Sequence, residues 1–256
     1  MIRFIDTHTH LCDESFAGDL ADVIARARHA GGERIVTVSE TLADARRNLE
    51  LAREHPVLLP AAGLYPTWLD MGAAEQMAAW ITRHRDGLAA IGEVGLDFWA
   101  VKDESGRSLQ RQIFEIFIDL SLELALPLNV HSRSAGRHAV DLLIEKNAKR
   151  VQLHAFDGKW GAAQPAAAAG YFFSVPPSIV RSRQKTKLVG NLPLSSLLVE
   201  TDSPVLGPEP GERNEPFNAL VSLEAIARIK KISAAEAAEA VYDNTRRLYD
   251  HRLATG

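Results

Sequence analysis

From its first residues to about residue 201 the sequence alternates eight short apolar runs with stretches of helical periodicity. Parallel strands cannot be joined by a tight turn, so this alternation predicts parallel strands linked by crossover helices. The expected strands lie around residue 4 and at 34–38, 57–63, 88–95, 127–131, 150–154, 170–175 and 196–201. Most are β-branched or leucine-rich without polar alternation, as expected for strands covered outside by helices and packed with aliphatic side chains within. Between them, Leu20, Val23, Ile24 and Ala27 form one helical stripe, and Leu109, Ile113, Ile116, Phe117, Leu120 and Leu124 form a longer one. Ser233 and Glu236 have the spacing of a capping box, predicting an Ala-rich helix after them.

Eight such units in 256 residues predict an α/β fold, a (β/α)8 TIM barrel, as one domain over 1–256. A doubly wound open sheet carries fewer strands and a Gly-rich first turn, whereas the first turn here is Thr7-His8-Thr9-His10-Leu11. Segment 204–216, with four prolines and two glycines, must be an irregular loop. At 46% hydrophobic and 24% charged residues the chain is not a disordered one. Its 29 Lys+Arg against 33 Asp+Glu, net −4, argue against a broad polyanion-binding face, so any nucleic-acid contact is expected to be local. With one cysteine, Cys12, and no apolar run near membrane-spanning length, a cytoplasmic protein without a membrane partner is expected.

In a barrel of this type the site lies where strands end and βα loops begin. The expected strand ends there carry His8 and His10, Glu93, His131, His154 and Asp202. His8 and His10 are two apart, so on an extended strand both imidazoles point one way and can share an ion. An isolated His-x-His is as readily a chance surface pair. Four further donors at the same end change that weighing, because six N/O donors exceed what one tetrahedral ion takes. Two ions, of Zn²⁺, Mn²⁺, Mg²⁺ or Co²⁺, are the expected count, with a carboxylate able to bridge them. His29, His55, His84, His138 and His251 fall on or beside helices or in the tail and are expected to be solvated or packed, and Cys12 to be a buried small residue.

The motifs resemble those of a known family. Asp6-Thr7-His8-Thr9-His10-Leu11, Ile91-Gly92-Glu93-Val94-Gly95-Leu96-Asp97, Val130-His131-Ser132-Arg133, His154-Ala155-Phe156-Asp157-Gly158, Glu200-Thr201-Asp202-Ser203-Pro204 and Arg213-Asn214-Glu215-Pro216 are similar, in order, to six blocks of the TatD-type metal-dependent deoxyribonucleases. The stretches 131–137 and 172–178 resemble the subgroup called TatD domain-containing protein 3, although more widespread members commonly have Ser at the place of Asp157. The resemblance implies a metallo-dependent hydrolase barrel in which His8, His10 and Asp202 hold one ion, His131 and His154 hold the other, and Glu93 bridges them.

The leading reading is a phosphodiesterase acting on DNA, an exonuclease on strand ends or single strands; Asp202 is also a candidate proton acceptor, and the planar fork of Arg133, two residues beyond His131 at a strand end, suits a phosphate. The alternative is an amidohydrolase or a deacylase, for example on aminoacyl-tRNA, because activated water serves either electrophile. A non-catalytic binding module needs fewer donors than these six. Arg137, Lys159, Arg181, Arg183, Lys185 and Arg213 are lesser candidates for phosphate contact, Trp68, Trp99 and Trp160 for base stacking, and Asp6 and Asp97 for orienting a histidine. No obligate protein partner is expected.

Overall fold

The structure, a computed structural model, describes residues 2–253, the side chains of the last four excepted. Eight parallel strands, β1 (Phe4–Thr9), β2 (Gly32–Thr37), β3 (Leu58–Ala62), β4 (Ala90–Gly95), β5 (Leu128–His131), β6 (Val151–Leu153), β7 (Phe172–Val175) and β8 (Leu197–Val199), are hydrogen-bonded in chain order. Every expected strand is present, and β8 stops at Val199, before the Glu200-Thr201-Asp202 segment. The gap between β8 and β1 is closed by a Thr9–Ser203 bridge, by Asp202 N–H donating to His8 O (2.8 Å) and by Thr7 Oγ1 donating to Val199 O (2.9 Å). The architecture is the (β/α)8 barrel read from the sequence.

The helices α1 (Leu20–His29), α2 (Leu42–Glu54), α3 (Met71–His84), α4 (Glu104–Leu124), α5 (Gly136–Glu145), α6 (Trp160–Ala168), α7 (Arg183–Asn191), α8 (Ala219–Lys230) and α9 (Ala234–Leu253) form the outer layer. Helix α4 begins where the Asp103 side chain accepts the Gly106 N–H, and it stops at Ala125, whose φ of 53° cannot continue a right-handed helix. Its expected stripe is the face that packs: Ile113, Phe117 and Leu120 are buried, while Leu109, Ile116 and Leu124 sit at its margin. Truncating Phe117 to Ala would cost about 3–5 kcal/mol. The capping box before α9 forms as expected, Ser233 N–H reaching Glu236 Oε2 at 2.9 Å and Glu236 N–H reaching Ser233 Oγ at 3.2 Å.

The barrel interior departs from the aliphatic filling expected. Thr7, Asn129, Gln152, Ser174 and Glu200 are buried beneath the rim and joined by hydrogen bonds: Gln152 Nε2 donates to Thr7 Oγ1 (3.0 Å) and Ser174 Oγ (2.9 Å), and Ser174 donates to Glu200 (2.5 Å). Tyr249, fully buried on α9, donates to Gln152 Oε1 at 2.6 Å. Each polar group is satisfied by its neighbours, which removes most of the cost of burying it.

Candidate metal centre

The six donors expected from the sequence converge at the C-terminal end of the barrel. His8 lies in β1 and His10 one residue past it, and their Nε2 atoms are 3.2 Å apart. His131 ends β5 and His154 follows β6, with His131 Nδ1 and His154 Nε2 also 3.2 Å apart. Glu93, on β4, stands between the two pairs. Its Oε1 is 2.6 Å from His131 Nδ1 and 2.7 Å from His154 Nε2, while Oε2 is 3.5 Å from His10 Nε2 and 3.7 Å from His8 Nε2. Asp202 Oδ1 completes the first pair at 3.3 Å from His10 Nε2 and 3.5 Å from His8 Nε2.

The backbone around Glu93 depends on glycine. Gly95 has φ 145°, and a Cβ there would lie 2.0 Å from His131 O; a Cβ on Gly92 would lie 2.6 Å from that of Asn129. Strands β4 and β5 can therefore approach closely enough to bring Glu93 and His131 together only without side chains at these positions. Asp202 itself has φ 56°, a left-handed conformation that Asp tolerates better than most residues.

Two of the four imidazoles, His8 and His131, are oriented from behind. Asn129 Nδ2 donates to Thr7 O (2.9 Å), which turns its Oδ1 to His8 Nδ1 at 2.8 Å. The proton of neutral His8 therefore sits on Nδ1, leaving the Nε2 lone pair for the centre. His131 is turned the other way: Nε2 donates to Asp97 Oδ2 at 3.1 Å and Nδ1 faces inward. His154 Nδ1 is buried with no hydrogen-bond partner and lies 3.8 Å from Glu200 Oε2. Tyr65 packs edge-on against His131, centroids 4.9 Å apart.

The electrostatics follow from this crowding. Burial and the His154 charge push His8 down to about 3. Burial also opposes charge on His10 and His131, but the carboxylates of Asp202 and Glu93 for the former, and of Glu93 and Asp97 for the latter, outweigh it and lift each to about 9. Glu93 is buried, yet the facing His154 and His131 hold its carboxyl well below the usual range. Burial raises Glu200 to about 7. Three overlapping sets, His8/His154/Asp202, His8/His10/Glu93 and Glu93/His131/His154, bring their donor atoms within 4.8 Å of one another, close enough to hold a cation. Imidazole nitrogens at 3.2 Å must share a proton or a cation, and this N/O donor set suits a divalent ion.

The sequence model of the family described as TatD related DNase matches residues 5–250. The chain belongs to the TatD-related DNase family. It is 42% identical to the human protein named deoxyribonuclease TATDN3, over 97% of this chain and 95% of that one. It is 34% identical to a Bacillus subtilis protein named uncharacterized metal-dependent hydrolase YabD, over 95% of this chain and 98% of that one. The crystal structure of the Escherichia coli TatD homologue YjjV superposes with a TM-score of 0.89 at 29% identity, over 97% and 98% of the two chains. As a TatD-family member the protein is a metal-dependent hydrolase.

In this TatD barrel the six donors line or underlie a cleft of about 440 Å³, whose wall also includes Glu40, Tyr65, Arg133, Asp157 and Lys185. Arg133 is exposed, its guanidinium stacked 3.8 Å over the Trp99 ring. Of the other six cations considered, only Lys185 lines the cleft. Arg213 is instead paired with Asp19 (2.6 Å) and Glu215 (2.9 Å), both shared with Arg26, and it fastens the last βα loop to α1. Trp68 and Trp99 are exposed on the rim, whereas Trp160 packs against the core.

Asp6 does not orient a histidine ring. Its carboxylate accepts the backbone N–H of His8 (3.3 Å) and of Thr201 (2.9 Å), tying together the ends of β1 and β8. Asp97 both holds His131 and caps its own loop, through Ala100 N–H at 2.7 Å. His29, His55, His84 and His138 lie outside the cluster, on or beside helices, with His84 stacked on Trp80; the His251 side chain is outside the described residues. Cys12 is half-buried, its thiol pushed up to about 12 by burial and the nearby Asp44. The sequence reading missed Asn129, Glu200, Tyr65 and Glu40. Polar Asn129 inside an otherwise apolar Pro-Leu-Asn-Val-His run was the one available signal.

Among the described residues, no helix is long and apolar enough to cross a membrane.

Proposed function

We propose that the cleft is the active site of a deoxyribonuclease that trims DNA from an end, with two divalent ions as cofactor. His8, His10 and Asp202 would hold one ion, His131 and His154 the other, and Glu93 would bridge them. The observation that carries this reading is the division of Glu93, one oxygen facing each histidine pair. When bound, such ions lower the pKa of water and polarise a phosphoryl oxygen.

The chain's own residues supply the rest. Asp202, with its carboxyl held below the usual range despite burial by His10 and His8, is ionised at neutral pH and can take a proton at the cleft surface. Arg133 presents a planar fork to a phosphate, held in place by Trp99. Asn129 and Asp97 keep the imidazoles in tautomers that direct a lone pair inward. A cleft that grips one or two phosphates needs no basic face, so a net charge of −4 suits a strand end better than long duplex DNA.

The same donors would serve an acyl or amide bond; Arg133 and Lys185, the two cations of a wall that also holds carboxylates, favour a phosphate-bearing substrate. The test is metal analysis of the purified protein, then hydrolysis of single-stranded DNA, duplex DNA and aminoacyl-tRNA with Glu93→Ala as control. The expected result is two ions per chain at saturating Mn²⁺ or Zn²⁺ and DNA cleavage from an end that Glu93→Ala abolishes. DNA cleavage unchanged in Glu93→Ala, or cleavage of the acyl-tRNA alone, overturns the reading.

A further inference from the structure

Lys185, in the first turn of α7 beyond β7, reaches back into the cleft wall. Its Nζ makes one hydrogen bond, 2.9 Å to Ala155 O, and forms no ion pair among the described residues. An ammonium has three donors, so two N–H groups remain for whatever occupies the cleft. Asp157, another residue of the wall, accepts Ser134 N–H at Oδ2 (2.9 Å) and forms no ion pair with Lys185. Arg133, the other cation of the wall, likewise forms no ion pair among the described residues and stacks on Trp99.

The two cations are not spread evenly around the rim. Arg133 follows β5 and Lys185 follows β7, so both flank the His131/His154 side of the cleft, whereas the His8/His10 side bears Glu40, with Oε1 3.8 Å from His10 Nδ1. Burial disfavours the Lys185 ammonium, and the carboxylates of Glu200, Asp157 and Asp202 offset this only from beyond ion-pair contact, so an anion seated directly on Nζ in the cleft adds stabilisation.

We propose that Lys185 is a substrate-phosphate ligand that, with Arg133, seats the phosphate-bearing part of the substrate along the arc from β5 to β7. This rests on the phosphodiesterase reading above and adds an orientation to it: phosphate oxygens over the His131/His154 side, the less charged side of the substrate towards Glu40. The competing role for Lys185 is purely to tether Ala155, whose φ of 42° marks the sharp turn just after His154.

The two roles separate in metal-loaded protein. Lys185→Met removes both the tether and the charge, whereas Lys185→Gln keeps an amide donor for Ala155 O but no charge, and Lys185→Arg keeps the charge. Binding of thymidine 5′-monophosphate and of thymidine is read by calorimetry, alongside metal content and KM for a single-stranded oligodeoxynucleotide. The expected result is that Met and Gln both weaken monophosphate binding and raise KM roughly tenfold or more, with thymidine binding and metal content unchanged, and that Arg restores most of the loss. Monophosphate affinity and KM in Lys185→Gln equal to wild type, or a loss confined to metal content, would overturn the proposal. A wild-type protein that binds the monophosphate through Lys185 but cleaves no DNA refutes the nuclease reading alone.

Discussion

The two histidine pairs of the centre are built on different supports. On the β1 side, His8 is backed by the neutral amide of Asn129, and the nearby arginine, Arg213, is consumed in ion pairs with Asp19 and Glu215. On the β5–β6 side, His131 is backed by the carboxylate of Asp97, His154 lies near Glu200, and neither cation of the wall forms an ion pair among the described residues. Both supports fix the tautomer of the imidazole in front of them, and the charged carboxylate raises its basicity as a ligand more than the neutral amide oxygen does. The difference teaches that the rim divides its labour: one half is assembled for position, the other for charge.

The sharpest attack on that division is at its hinge. Glu93→Ala removes the group shared by both pairs and is expected to lower kcat/KM by about a thousandfold or more, as loss of a central electrostatic group does, with metal content measured beside it; retention of both ions and full activity would break the comparison outright. Next in size, Asp97→Asn should weaken metal affinity about 10–100-fold, whereas Asn129→Asp, which adds charge behind His8, should not weaken it. Isothermal titration of both variants decides between unequal and equal supports.

A third test uses pH. His10 and His131 are lifted from an ordinary value near 6.5 to about 9 in the metal-free protein, so the folded state holds their protons more tightly than the unfolded chain. The stabilisation they give is complete below pH 6.5 and is lost as pH rises through 9. Denaturant midpoints of metal-free protein should fall across that window. Metal must displace those protons, so uptake should release protons and strengthen as pH rises. A flat midpoint between pH 6.5 and 9 would contradict the assigned carboxylate contacts.

The smallest effects compare the two arginines. Arg133→Ala should raise KM for DNA roughly tenfold while leaving Tm unchanged. Arg213→Ala should lower Tm slightly and leave KM alone, since exposed ion pairs contribute little. Reversed outcomes would exchange the roles of the two halves.

The fold and all six clustered donors were legible in the sequence because apolar runs mark strands and donors at run ends are conspicuous against them. What orients the donors was less legible. Asp6 and Asp97 occupy similar places beside ligand motifs, yet one fastens backbones and the other a ring. That choice depends on strand register, which β4 and β5 settle through contacts at Gly92 and Gly95 that no local pattern encodes. The polar interior was equally hidden: Thr7, Asn129 and Gln152 are isolated polar residues in separate runs, and only closure of the barrel makes them neighbours.

The seam between β1 and β8 has a consequence for when the protein becomes competent. Asp202 meets His8 and His10 only after nearly two hundred intervening residues have been placed, and Asp202 N–H on His8 O is one of the bonds that shuts the seam. During synthesis, a chain released up to β7 would already carry five donors but no stitch to draw its first strand home. Under the proposed assignment, tight loading of the ion that His8, His10 and Asp202 would hold is thereby a late event, and it would report that the ring of strands has been completed rather than begun.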